Sequence, residues 1–128
     1  MSGLIPSFPV ADINKSVEFY QDVLGFELVR ITGKDDVTRA FLRAGVLRIV
    51  LRSASSDAVI NYRRAPLDDR IMLHIPIDDV RGLYERIRGR VPLLRDLEPR
   101  LFGMFEFTIE DVDGILLTFS ELKSKDAS

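Results

Sequence analysis

The hydrophobic and polar positions of the chain follow one plan, which appears twice. In the first half, an extended segment runs to about Val10, and Asp12 follows as a suitable helix N-cap. The apolar positions after it recur at helical spacing: Ile13, Val17, Tyr20 and Leu24. Gly25 is placed to end this helix, because glycine readily adopts the left-handed conformation. Three strands are then predicted over residues 26–33, 37–44 and 46–52, separated by the turn signals "GKDD" and "AG".

The second half repeats this order after a polar segment. Residues 53–69 show no clear period and are predicted to be a linker. Residues 70–77 then form a predicted strand, and Asp79 is a second helix cap. One helical face is predicted from Val80, Leu83, Tyr84, Ile87 and Val91. Strands are predicted over residues 91–97, 104–110 and 115–121, with "DVDG" as a hairpin turn and residues 122–128 as a tail.

The two halves align residue by residue. Ile5 in "IPSFPVAD" falls on Met72 in "MLHIPIDD", an offset of 67 (72 − 5). The hairpin glycines Gly45 and Gly114 give an offset of 69 (114 − 45), which one small insertion explains. We therefore predict an α+β domain over residues 1–128, built from two βαβββ modules at 1–52 and 70–121. Two matched modules usually form one pseudo-symmetric site.

Composition excludes several classes of function. The 128 residues include no cysteine, which rules out disulfides, thiolate metal sites and cysteine nucleophiles. A net charge of −2 gives no reason to expect a nucleic-acid partner. No apolar run reaches the roughly 20 residues that span a bilayer, and no secretory signal is visible. We therefore expect a cytoplasmic protein without a membrane partner.

Two longer segments resemble a known family. "FPVADINKSVEFYQDVLGFELV" and "FGMFEFTIEDVDGILLTFSE" are similar to the vicinal-oxygen-chelate superfamily, which includes glyoxalase I, extradiol dioxygenases, fosfomycin-resistance enzymes and bleomycin-resistance proteins. One departure is Val112, where the family usually has proline. The resemblance implies two βαβββ modules that form an open barrel around a cleft. It also implies a divalent metal in that cleft, held by the first and fourth strands of each module, and it implies a homodimer.

The family's four metal-ligand positions fall on residues without suitable donors. They read Ile5, Ile49, Met72 and Thr118, and none is a histidine or a carboxylate. A catalytic divalent ion needs two or three nitrogen or oxygen donors. We therefore predict a metal-free member with no cofactor.

Strand alternation predicts which residues line the cleft. The predicted lining consists of Ile5, Ser7, Leu47, Ile49, Leu51, Met72, His74, Leu116, Thr118 and Ser120. Phe102 is added as stacking surface. Glu106 is added as a polar contact within the family's closing motif, "GMFEFTIEDVDG". This strand phase turns Arg48 and Arg52 toward the helix side. His74, the one histidine, is read as a polar wall residue or a structural histidine rather than a base, because no triad partner can be placed beside it.

These expectations leave two main functions open. The first is metal-independent sequestration of a bulky, partly apolar small molecule, as in the antibiotic-binding bleomycin-resistance branch, with no catalytic residue. The second is a metal-dependent lyase, isomerase or dioxygenase whose donors come from elsewhere, such as His74, Glu106 and Glu121. A relic without a ligand is the third alternative. Bleomycin binders tend to be markedly acidic, and 14 arginines with a net charge of −2 do not match that composition well.

Overall fold

The chain folds into two compact units, Met1–Ala65 and Pro66–Ser128. The computed structural model describes residues 1–99 and 104–122, with the backbone alone for Met104 and Leu122. Each unit contains one four-stranded sheet and at least one helix, in the order βαβββ. The predicted duplication and the α+β class are therefore confirmed. Neither sheet closes on itself.

The first unit is built on a mixed sheet in the strand order β1-β4-β3-β2. Its elements are β1 (Ser7–Val10), α1 (Ile13–Glu18), β2 (Glu27–Lys34), β3 (Val37–Ala44), β4 (Leu47–Ser53) and α2 (Ser56–Arg63). β1 runs parallel to β4, and the other two neighbouring pairs are antiparallel. A π-helical turn, Phe19–Val23, continues α1.

The first helix begins and ends where the sequence predicts. The Asp12 carboxylate accepts hydrogen bonds from the backbone N–H groups of Asn14 and Lys15, both at 3.1 Å, which confirms the N-cap. Gly25 has a φ of 77°, the left-handed conformation expected beyond a helix end. Tyr20 is buried in edge-to-face contact with Phe26, so the turn packs its aromatic side inward.

The segment predicted as a linker contains a helix. α2 occupies residues 56–63, and the Ser55 hydroxyl caps it by accepting the N–H of Ala58 at 3.2 Å. Val59 is the buried residue of this helix, so the segment lacks the apolar stripe from which helices are normally predicted. A short 3₁₀ turn, Leu67–Asp69, follows it at the start of the second unit.

One face of the first sheet forms the core of this unit. α1 packs against β3 and β4, and the strand residues buried on this face are Phe8, Val10, Ala40, Leu42, Ile49 and Leu51. The register places Phe8 beside Leu51, and it pairs Ala40 with Leu51 and Leu42 with Ile49. Phe8 and Val10 of β1 therefore lie on the helix-covered face.

The second unit repeats the strand order as β5-β8-β7-β6. Its elements are β5 (Met72–Pro76), α3 (Val80–Ile87), β6 (Leu93–Pro99), β7 (Met104–Glu110) and β8 (Leu116–Leu122). β5 is parallel to β8, as β1 is to β4. Over residues 1–99 and 104–122, no helix is long and apolar enough to cross a membrane.

Two carboxylates hold the start of α3. Asp79 accepts the Gly82 N–H at 2.9 Å, which confirms the predicted cap, and Glu121 accepts the Val80 N–H at 2.7 Å. The helix ends at Ile87, because Arg88 is extended (ψ 138°) and Gly89 has a φ of 82°. The prediction that the helical face continues to Val91 is therefore wrong.

A hydrogen bond joins α3 to β6. The Tyr84 hydroxyl donates to the Asp96 carboxylate at 2.5 Å. This bond stabilises the charged carboxylate, so it lowers the pKa of Asp96, and the Leu97 N–H lowers it further. The same bond holds the phenol proton and raises the pKa of Tyr84. It anchors the helix to the edge strand of the second sheet.

Candidate functional site

A cavity of about 420 Å³ opens on the face of the first sheet that α1 does not cover. It is lined by Ile5, Val29, Arg30, Phe41, Leu42, Arg43, Arg48, Ile49 and Val50. All of these residues belong to the first unit. Apolar walls with a few convergent polar groups are typical of a site for a small molecule.

Arginines surround the apolar centre of this face. Phe41 lies opposite Val50, Arg43 lies opposite Arg48, and Arg39 lies opposite Arg52. Directly opposed residues of an antiparallel pair point to the same side, so all six side chains share one face. On β2, the guanidinium carbon of Arg30 lies 4.6 Å from the centre of the Phe41 ring. We call the set Arg30, Arg39, Arg43, Arg48 and Arg52, with Phe41 and Val50 between them, the arginine face.

The predicted side-chain phase of β4 is wrong. Ile49 and Leu51 are only 2% and 0% exposed, and they pair with buried residues of β3 on the helix-covered face. Leu47 alternates with them and shares their side of the sheet. Arg48 and Arg52, predicted to face the helix, lie on the open side with Val50. Ile49 borders the cavity, but its side chain belongs to the core.

The error comes from the two hairpins that precede β4 and β8. The first hairpin has two residues between its last paired positions, Ala44 and Leu47. The second has five residues between Glu110 and Leu116. Aligning the halves on their hairpin glycines places Ile49 on Thr118, whereas the register with the parallel strands places Val50 on Thr118. A shift of one residue moves every side chain of a strand to the other face.

Two predicted lining residues of the first strand lie on the open side. Ile5 is 53% exposed and lines the cavity. Ser7 lies beside Val50 in the parallel pairing and is exposed on the same face, outside the cavity lining. The site therefore begins at the N-terminal approach to β1.

In the second unit, alternation places the predicted residues on one face of the sheet. Register joins Met72 to Leu116, His74 to Thr118, and Glu106 to Ser120. Leu116, Thr118 and Ser120 are buried, while Met72 and His74 are exposed. The Thr118 hydroxyl lies 2.7 Å from the Thr108 hydroxyl and 3.2 Å from the Met72 sulfur. Phe102 lies outside the described residues.

Comparisons with known proteins identify the family. Residues 6–119 match the family described as the "Glyoxalase/Bleomycin resistance protein/Dioxygenase superfamily". The chain belongs to this superfamily. A "Bleomycin resistance protein" of Geobacillus stearothermophilus is 30% identical over 132 residues, covering 94% of this chain and 97% of that protein.

Solved structures share the superfamily's fold. A "glyoxylase/bleomycin resistance protein/dioxygenase domain" from Frankia sp. EAN1pec has a TM-score of 0.76 and 23% identity, covering 94% of this chain and 98% of that chain. A "Lactoylglutathione lyase" from Agrobacterium tumefaciens has a TM-score of 0.67 and 18% identity, covering 94% of each chain. At these identities the likeness concerns the fold.

The residues at the superfamily's metal positions do not fit a divalent ion. With the register corrected, the four positions are Ile5, Val50, Met72 and Thr118, which offer one thioether and one hydroxyl. That hydroxyl is already hydrogen-bonded to Thr108 and Met72. A thioether is a poor ligand for hard divalent ions. Among the described residues, no three His, Cys, Asp or Glu side chains form a cluster that could hold a metal ion.

Three carboxylates near the closing motif have structural partners. Glu121 caps α3, and Glu110 forms an ion pair with Arg70. The Asp111 carboxylate accepts the N–H groups of Asp113 and Ile115, both at 2.9 Å, and so shapes the hairpin. Glu121 therefore holds the start of α3.

Apart from Ile49, sequence reasoning missed the residues that line the cavity on β2, β3 and β4. For β3 and β4, the sequence signal that could have identified these residues is an alternating pattern. It reads Arg-x-Phe-x-Arg at residues 39–43 and Arg-x-Val-x-Arg at residues 48–52. Period-two spacing places each set on one face of a strand. The pattern identifies the face once the register between the two strands is known.

Proposed function

We propose that this protein binds and sequesters a bulky, partly apolar small molecule without a metal ion. The observation that carries the proposal is the cavity of about 420 Å³, whose walls include Ile5, Val29, Phe41 and Val50. A cavity of this size can enclose much of a drug-sized ligand. Sequestration needs affinity alone, so no reacting group has to be placed beside it.

Two further observations support this proposal. The side chains at the superfamily's metal positions are poor donors for a divalent ion, which supports binding without a metal. Within the described residues, no hydrogen bond or ion pair joins His74 to a carboxylate or a hydroxyl, so a histidine-based acid–base pair has no support. The relatives named bleomycin resistance proteins fit an antibiotic as the sequestered compound.

The proposed assembly is a homodimer that acts in the cytoplasm. Pairing of two chains is usual in the superfamily that the sequence resembles, and β2 and β6 lie at the edges of their sheets. The cavity described above is complete within one chain, so the binding test does not depend on the assembly.

The test is a binding screen with the cavity open and blocked. EDTA-treated protein is heated with a panel of antibiotics, bleomycin included, and the midpoint of unfolding is followed. A ligand at a hundredfold excess over its Kd stabilises the protein by about 2.7 kcal/mol. We expect at least one compound to raise the midpoint by several degrees.

The matched variants place a tryptophan inside and outside the cavity. Val50→Trp fills the centre of the cavity and should abolish the shift. Ile60→Trp adds the same side chain at an exposed position of α2 and should preserve it. An equal shift in both variants would show that the compound binds elsewhere and would contradict the proposal.

A further inference from the structure

We infer that the cavity of the first unit takes an anionic small molecule with an apolar, aromatic body. This inference rests on the proposed binding function and names the class of its ligand. It follows from the arginine face, which surrounds an apolar centre with positive charge although the whole chain carries a net charge of −2.

The arginines on this face are opposed in like-charged pairs. Arg43 lies directly across from Arg48, and Arg39 lies directly across from Arg52. Directly opposite residues have Cβ atoms only about 5 Å apart, and like charges on such a pair destabilise a sheet. An anion between two guanidinium groups converts this repulsion into two charge-assisted hydrogen bonds. The empty face is therefore less favourable than the face with an anion bound.

Few of these charges are neutralised by the protein. Glu27 pairs with Arg43 at 2.8 Å, but both side chains are at least half exposed, so the pair is weak and readily displaced. Within residues 1–99 and 104–122, no hydrogen bond or ion pair engages the guanidinium group of Arg48. Arg48 lines the cavity, and its guanidinium can bind a carboxylate, phosphate or sulfonate group through two parallel bonds.

The apolar centre of the face indicates that the rest of the ligand is apolar. Phe41 and Val50 lie between the two arginine pairs, and Ile5 and Val29 extend the apolar wall. A free inorganic anion would leave this surface in water, whereas an aromatic ring would bury it. A long polyanion is held mainly through its phosphates and gains little from a concave apolar wall. The combination favours an aromatic anion and disfavours a cationic drug.

Two probes with the same ring system separate charge from shape. One is 8-anilinonaphthalene-1-sulfonate, and the other is N-phenyl-1-naphthylamine, which lacks the sulfonate. Both are titrated by fluorescence into EDTA-treated wild type, Arg48→Gln and Arg86→Gln. Arg86 is an exposed arginine of α3 in the second unit, so its replacement changes the net charge equally.

The sulfonate probe should bind wild type about tenfold more tightly than the neutral probe. Arg48→Gln should lower the affinity for the sulfonate probe by about tenfold and leave the affinity for the neutral probe unchanged. Arg86→Gln should leave both affinities unchanged. Added salt should lower only the affinity for the sulfonate probe. Arg48→Gln should also be at least as stable as wild type, because it relieves the repulsion from Arg43. A purely structural arginine would instead lose stability when replaced.

Four outcomes would overturn the inference. Equal affinity for the two probes, or no effect of Arg48→Gln on the sulfonate probe, would show that the cavity does not select anions. Displacement of the sulfonate probe by an oligo-dT strand at far lower concentration than by inorganic sulfate would assign the face to nucleic acid. If the neutral probe still binds and Val50→Trp abolishes that binding, the proposed sequestration stands without the anionic ligand. Absence of saturable binding by both probes would overturn the two proposals together.

Discussion

Phe107→Ala is expected to lower the free energy of unfolding by about 3–5 kcal/mol. Phe107 is 0% exposed, lies in edge-to-face contact with Tyr84 of α3, and has its ring centre 5.4 Å from that of Phe119 on β8. Its removal leaves a cavity where the helix meets the second sheet, because the surrounding strands cannot collapse into it. Chemical denaturation followed by circular dichroism measures the change.

Phe105→Ala is the matched control for this prediction. Phe105 lies two residues earlier on β7, is half-buried, and has the Arg81 guanidinium 5.8 Å from its ring. The same deletion there should cost clearly less, since part of the ring already contacts water. Equal costs at the two positions would mean that the core of this unit is not centred on Phe107.

Ile49→Ala is expected to reduce stability and Val50→Ala to reduce ligand binding, because the two side chains lie on opposite faces of β4. Ile49 is 2% exposed beneath α1, and its truncation should lower the free energy of unfolding by about 2–5 kcal/mol. The affinity for the sulfonate probe should change little, because the Ile49 side chain belongs to the core although the residue borders the cavity. Val50 is half-buried and lines the cavity. Its truncation should therefore lower the affinity for the probe and cost much less stability.

This pair of variants tests the register on which the site depends. Urea denaturation and probe titration of both proteins supply the four values required. A loss of binding in Ile49→Ala with little loss of stability would restore the phase expected from the hairpin glycines. It would also move Arg48 away from the cavity and remove the basis for an anionic ligand.

The sequence predicts the fold well because its signals are local and repeated. Asp12 and Asp79 each precede an apolar helical face, and the structure has a capped helix at both positions. The same plan written twice made the βαβββ duplication visible without any structure. α2 was missed, because Val59 is the buried position of a helix that is otherwise polar.

The site was harder to predict, because it depends on register rather than on residue type. Ile49 and Leu51 are apolar and suit a cleft lined by apolar residues, whereas Arg48 and Arg52 are charged. In the structure, however, the apolar side of β4 forms the core and the arginines lie on the open side. The two hairpins differ in length, and sequence alone does not show which face of the strand follows each. The prediction of unsuitable metal positions does not depend on this phase, because Ile49 and Val50 both lack a donor atom.

The central claim is that binding in this protein needs no metal ion. The measurement that tests it most directly is the unfolding midpoint of untagged, EDTA-treated protein, alone and with excess Ni²⁺, Mn²⁺, Zn²⁺ or Fe²⁺. A native metal site stabilises the folded state by about 2.7 kcal/mol at a hundredfold excess over Kd, which would raise the midpoint by several degrees. We expect no change with any of the four ions, because the superfamily's metal positions carry Ile5, Val50, Met72 and Thr118. A clear rise with one of them would contradict the account and favour a metal-dependent enzyme of the superfamily.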